Sequence, residues 1–75
     1  SLEDDVREAM ERGLLPRIDH EYLCAAFFGV AYETSLTLAR RAHRNPESAE
    51  AEALRATRFS SALFIGGLPR LAALP

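Results

Sequence analysis

His20 and Cys24 stand four residues apart, a spacing that sets an imidazole and a thiol on one face of a helix. Such a pair suits half of a metal site, or a nucleophile with its base. Neither is complete. A tetrahedral site needs two more ligands, and the other histidine, His43, lies about six turns further along a helix that continues from His20. A nucleophile needs its base oriented by a third group, and no acid is fixed by spacing to do so. The pair therefore reads as a helix-start histidine and a small buried cysteine. Gly66 and Gly67 lack the lysine and hydroxyl residue of a phosphate loop and follow a helical pattern instead of preceding one, so they read as a helix terminator. No catalytic residue, metal ligand or cofactor site is assigned, and no enzyme activity is expected.

Glu33 is the remaining polar residue of interest. It closes the stretch EYLCAAFFGVAYE, in which eleven residues between two glutamates carry no charge. A carboxylate in an apolar seam must find a partner or stay protonated. One reading pairs it with an arginine, Arg40 of a mate helix or Arg58 across a hairpin, and fixes the register of the seam. Another turns it toward a ligand. Its position in the seam favours contact with helices.

The elements that position these residues are three helices. In the first, about residues 2–12, Leu2, Val6, Ala9 and Met10 recur at three-and-four spacing. Ser1 with Asp4 has the form of a capping box, and Gly13 suits the left-handed position that ends a helix, letting Leu14 fold back on Met10. Pro16 marks a short connector. Asp19 caps the second helix, about residues 20–44 and about 37 Å long, while Arg40, Arg41, His43 and Arg44 collect at its negative end. Asn45 and Pro46 restart the chain as cap and first helical residue of a third helix over about 46–66, which Gly66, Gly67 and Pro69 end near Ile65, with LPRLAALP left to add one loose turn. Alternation of period two is absent. The class is all-α, a single domain over residues 1–75.

Projected on a helix, the second segment carries a heptad seam of Tyr22, Ala26, Gly29, Glu33 and Leu36, beside a stripe of Leu23, Phe27, Val30, Thr34 and Leu38. Phe28 and Tyr32 point away from both. The third carries a small-residue seam of Ala49, Ala53, Ala56, Ser60, Leu63 and Gly67. Helices two and three, joined by a short loop, form an antiparallel hairpin, and two hairpins related by a two-fold axis form a four-helix bundle. Both seams are assigned to the dimer interface, with the division between hairpin partner and mate left open. Phe28 and Tyr32 are covered by the first helix as a lid, or else by a ligand or the rest of a parent protein.

Composition narrows the rest. Seventy-five residues bury only about 60% of the surface of their unfolded chain, so the intrinsic core is thin. One cysteine excludes an intrachain disulfide, and a reducing cytoplasm is the natural setting. The longest apolar run falls short of the roughly 20 residues of a bilayer span, and no membrane partner is expected. A formal net charge of -2, with nine arginines scattered among eleven acids, offers no basic patch for nucleic acid. Starting at Ser1, the sequence reads as a piece of something longer.

The order of a helix ending in ERGLLPRID, a long apolar helix HEYLCAAFFGVAYETSLTLARR, an NPE break and a last helix AEALRATRFSSALFIGGLPRL resembles the C-terminal part of TetR-family transcriptional regulators. The resemblance spans nearly the whole chain. It implies a bacterial repressor whose last two long helices build the four-helix bundle of a homodimer, with a small-molecule effector and a DNA-reading helix-turn-helix carried elsewhere. Nothing in these residues looks like the helix-turn-helix, so DNA contact is carried over to none of them. The alternative is a free-standing small helical module that binds another protein.

Overall fold

A computed structural model of the chain describes residues 1–75 and is built of helices alone. They are α1 (Leu2–Glu11), α2 (His20–Arg44) and α3 (Ala49–Ala72), with one 3₁₀ turn, Pro46–Ser48, between α2 and α3. The all-α class expected from sequence is the class observed.

Helices α1 and α2 start where their capping residues place them. Ser1 Oγ accepts from the Asp4 backbone N–H at 3.3 Å and donates to the Asp4 carboxylate at 3.0 Å. That hydrogen bond, with the positive chain terminus and Arg7, holds the Asp4 carboxyl below the usual aspartate range. The end of α1 is a Schellman motif: Gly13 takes φ +74°, its N–H reaches the Met10 carbonyl at 3.2 Å, and the Leu14 N–H reaches Ala9 at 2.9 Å. The Leu14 backbone turns back on α1 while its side chain stays 69% exposed. At α2, Asp19 accepts from the Tyr22 N–H at 3.1 Å.

The α2–α3 corner departs from the simple N-cap expected of Asn45. The Asn45 side chain makes no capping bond. Its carbonyl instead accepts from the Ser48 N–H at 3.0 Å and the Ser48 hydroxyl at 2.8 Å, which closes the 3₁₀ turn before α3 begins at Ala49.

The far end of α3 corrects the sequence expectation. The helix does not stop near Ile65 but runs through Gly66, Gly67 and Pro69 to Ala72. A proline inside a helix removes one N–H and crowds one carbonyl, here the bond to Ile65. The leucines and alanines beyond it are strong helix formers and resume the ladder. Glycine likewise weakens a helix by a fraction of a kcal/mol without ending it.

Helices α2 and α3 run antiparallel. Arg41 meets Glu52 near the turn and Phe27 meets Phe64 toward the other end, with ring centroids 5.6 Å apart. Helix α1 packs on the N-terminal half of α2, where His20 Nε2 lies 3.1 Å from a Glu3 carboxylate oxygen. Cys24, beneath this junction, is the one buried residue of the chain. The molecule is elongated, 43 × 23 × 19 Å.

Two glycines should respond in opposite senses to alanine. A β-carbon at Gly66 meets no atom within 4 Å, so Gly66→Ala is expected to stabilise α3 by about 0.5–1 kcal/mol. At Gly13 the positive φ makes the same change cost about 1–2 kcal/mol. Thermal melts followed by circular dichroism check both signs.

Candidate self-association surface

The hairpin separates the two seams that sequence assigned together to one interface. On α3 the small-residue stripe turns inward: Ala49, Ala56, Ser60 and Gly67 are half-buried, flanked by the more exposed Ala53 and Leu63. Small side chains let two helix backbones approach, and the row facing them on α2 is the bulky one. Leu23, Val30, Thr34 and Leu38 are half-buried there, and Phe27 lies against Phe64. The α3 stripe therefore serves first as the contact between helices of one chain.

The heptad stripe of α2 is left outside. Tyr22 is 79% exposed, and Ala26, Gly29 and Glu33 are exposed beside it, with only Leu36 half-buried. A β-carbon at Gly29 would meet nothing within 4 Å. Across the flank of the hairpin this stripe continues onto Phe59 and Leu63 of α3, both more than half exposed.

Phe28 and Tyr32, the candidate ligand-facing residues, are 60% and 65% exposed and line none of the three larger hollows. Helix α1 is not their lid. It docks on the other side of α2, where Leu2 and Val6 line a groove of about 640 Å³ with Cys24, Phe27 and Phe64. The spacing of α1 shows that it has an apolar face but does not say which stripe of α2 that face meets. The contacts decide it: the connector from Arg12 to Asp19 lets α1 lie on the start of α2, where Glu3 reaches His20.

The groove is walled by uncharged residues throughout, with Thr34, Ser35, Thr57, Ser60 and Ser61 as its polar points. A wider hollow of about 1040 Å³, reaching Tyr22, Ala26, Leu63 and Gly67, opens at the end of the hairpin where α1 and the last turn of α3 approach. A third, of about 350 Å³, is lined by Glu33, Arg41, Glu52 and Arg55 with Thr37 and Phe59. In it Glu52 accepts from Arg41 at 3.2 Å and from Arg55 at 3.0 Å, with its own side chain 16% exposed. This three-residue cluster near the turn is not anticipated from sequence, which assigns Arg41 to the helix dipole and gives Arg55 no role. It became visible once the hairpin brought residue 41 beside residue 52.

His20 and Cys24 do not form a site. The imidazole is engaged with Glu3, the thiol is buried, and no group of three or more His, Cys, Asp or Glu side chains is gathered to hold a metal ion.

Helix α2 holds no uninterrupted apolar run of bilayer length. Taken as a whole helix, it is long and apolar enough to cross a membrane by length and composition, with mean hydropathy 1.2 over its most apolar 18-residue window. The run is short while the average is high because Glu33 divides a helix whose other interior residues are apolar or hydroxylic.

Because α1 shields Cys24, a thiol reagent should modify the native chain far more slowly than the urea-unfolded chain. Val6→Asp, which places a charge on the docking face of α1, should abolish most of that protection while leaving α2 and α3 helical by circular dichroism.

Comparison of the chain with protein-family models, with curated proteins and with solved structures found no match.

Proposed function

We propose that this chain is a homodimerisation module, in which two α2–α3 hairpins join as a four-helix bundle, and that it serves as the dimerising and regulatory part of a TetR-like bacterial transcriptional regulator. The observation that carries the first part is an area. The chain exposes 6007 Å², whereas a self-contained folded protein of 8.3 kDa exposes about 4,600 Å². The surplus is about 1,400 Å² per chain. Covered by a second copy, it amounts to about 2,800 Å² in all, the range of permanent homodimers.

The outer stripe of α2 has a composition that supports this reading. An interface core is apolar and poor in charge, with aromatic anchors, and the outer stripe of α2 supplies Tyr22, Ala26 and Gly29 next to Phe59 and Leu63. A two-fold axis uses such a patch twice. The regulator assignment rests on the order and character of the three helices, which resemble the last helices of TetR-like proteins. Effector sensing and DNA reading then belong to other parts of the regulator, coupled to the bundle through its geometry.

A second reading, a helix that spans a bilayer, has the composition of α2 in its favour. It is the weaker one, because Glu33 falls near the middle of the helix, where a carboxylate costs about 2.5–3.5 kcal/mol on insertion scales. A third, a module that binds a different protein, uses the same exposed flank.

Sedimentation equilibrium or light scattering at micromolar concentration decides among them. The dimer reading expects twice the 8.3 kDa chain mass without detergent. A monomer that stays in solution would support a different protein partner, and a chain recovered only with detergent would support the membrane. In the dimer, Gly29→Leu should weaken association by about 1–3 kcal/mol through overpacking with helix content unchanged.

A further inference from the structure

Glu33 and Arg40 lie seven residues apart on the outer stripe of α2, and neither has an ion-pair partner in its own chain. Arg41 and Arg55, which share a hollow with Glu33, are both committed to Glu52. Arg58 is no substitute. It stands two residues after Ala56 and two before Ser60, on the side of α3 opposite the half-buried stripe that faces α2. Nor can Glu33 reach Arg40 along its own helix, because seven residues span about 10.5 Å.

Opposite charges displaced by one heptad along an uncharged stripe are complementary to themselves under a two-fold axis. We infer that Glu33 pairs with the partner's Arg40 in a dimer whose two-fold axis passes beside Leu36 and Thr37, so that the ion pair occurs twice and sets the register of α2 against α2. The inference rests on the dimer proposed above and adds its axis and register. With the helices antiparallel, that axis sets position 33 opposite 40, 36 opposite 37 and 29 opposite 44, while Ala26 and Tyr22 reach past the end of the partner's α2 toward its α2–α3 corner and form the rim of this contact. Gly29, where nothing lies within 4 Å of a β-carbon, then leaves room for the stem of the partner's Arg44.

Competing registers are disfavoured by charge. An axis beside Glu33 would set two carboxylates together, and one beside Arg40 would set two guanidinium groups together. Each pair is exposed in the lone chain and partly shielded in the dimer, so its effect falls on specificity and register more than on gross affinity.

The test is a charge swap read by sedimentation equilibrium at low ionic strength, where screening is least. Glu33→Arg and Arg40→Glu each turn two attractive contacts into two repulsive ones, and each homodimer should weaken by about tenfold. The double variant, Glu33→Arg with Arg40→Glu, should return to within about threefold of the unaltered chain. Mixing the two single variants is the sharper measurement. All four charges then meet an opposite partner, so the mixed dimer should form in preference to either homodimer. Both side chains are exposed, and circular dichroism of each variant confirms that its helices are intact. A monomeric unaltered chain would remove the dimer itself. An unaltered dimer with single variants of equal affinity, or with no preference for the mixed dimer, would overturn the pair and its axis while leaving the dimer in place.

Discussion

Two helices joined by a single tight turn can turn only one face each toward the other, and the rest of this structure follows from which faces those are. Helix α3 contributes a row of small residues, Ala49, Ala56, Ser60 and Gly67, and α2 answers with Leu23, Phe27, Val30 and Leu38. Bulky residues against small ones let the two helix axes approach, with the groove of about 640 Å³ left open beside them. The Arg41–Glu52–Arg55 cluster fixes the turn end, and Phe27 against Phe64 continues the contact along the pair. With that face of α2 committed to α3, its heptad stripe is turned outward.

Helix α1 adds a third contact but not a third layer. It lies over the start of α2, hides Cys24 and brings Glu3 to His20. One amphipathic helix of ten residues cannot cover two helices of 24 and 25 residues. A single buried residue in the whole chain is the result, and domains of this size fold stably by adding a disulfide, a metal or a second copy. One cysteine forms no intrachain disulfide and no metal-ligand cluster is gathered, so these residues supply neither of the first two aids.

Much of the fold was legible because it is written locally. Ser1, Gly13 and Asp19 act through backbone groups three or four residues away, so short sequence patterns specify them, and the observed caps match. The end of α3 was misjudged for the same reason: glycine and proline were weighed as local breakers, while the helix formers on either side of Pro69 outweighed them. The surface was legible in outline only. Periodicity shows that a stripe exists, yet the two stripes of α2 differ by a rotation that no spacing rule assigns to one partner or another. That choice depends on contacts between residues thirty or more positions apart, as Phe27 and Phe64 illustrate. The placement of α1 away from Phe28 and Tyr32 is of the same kind.

The composition of the exposed stripe bears on what meets it. A lipid-facing helix gains from large apolar side chains and loses from any charge, because nothing in the hydrocarbon region returns the solvation a carboxylate gives up. A helix-facing stripe gains from small residues that admit another backbone, and it tolerates a charge that finds its opposite at a fixed offset. The outer stripe of α2 has Ala26 and Gly29 where backbone approach is useful, and Glu33 and Arg40 at one-heptad separation. Those are the requirements of a second helix. The leading aromatic, Tyr22, fits the same account: it stands at the N-terminal end of the stripe, where its ring can pack against a neighbour while the hydroxyl keeps contact with water.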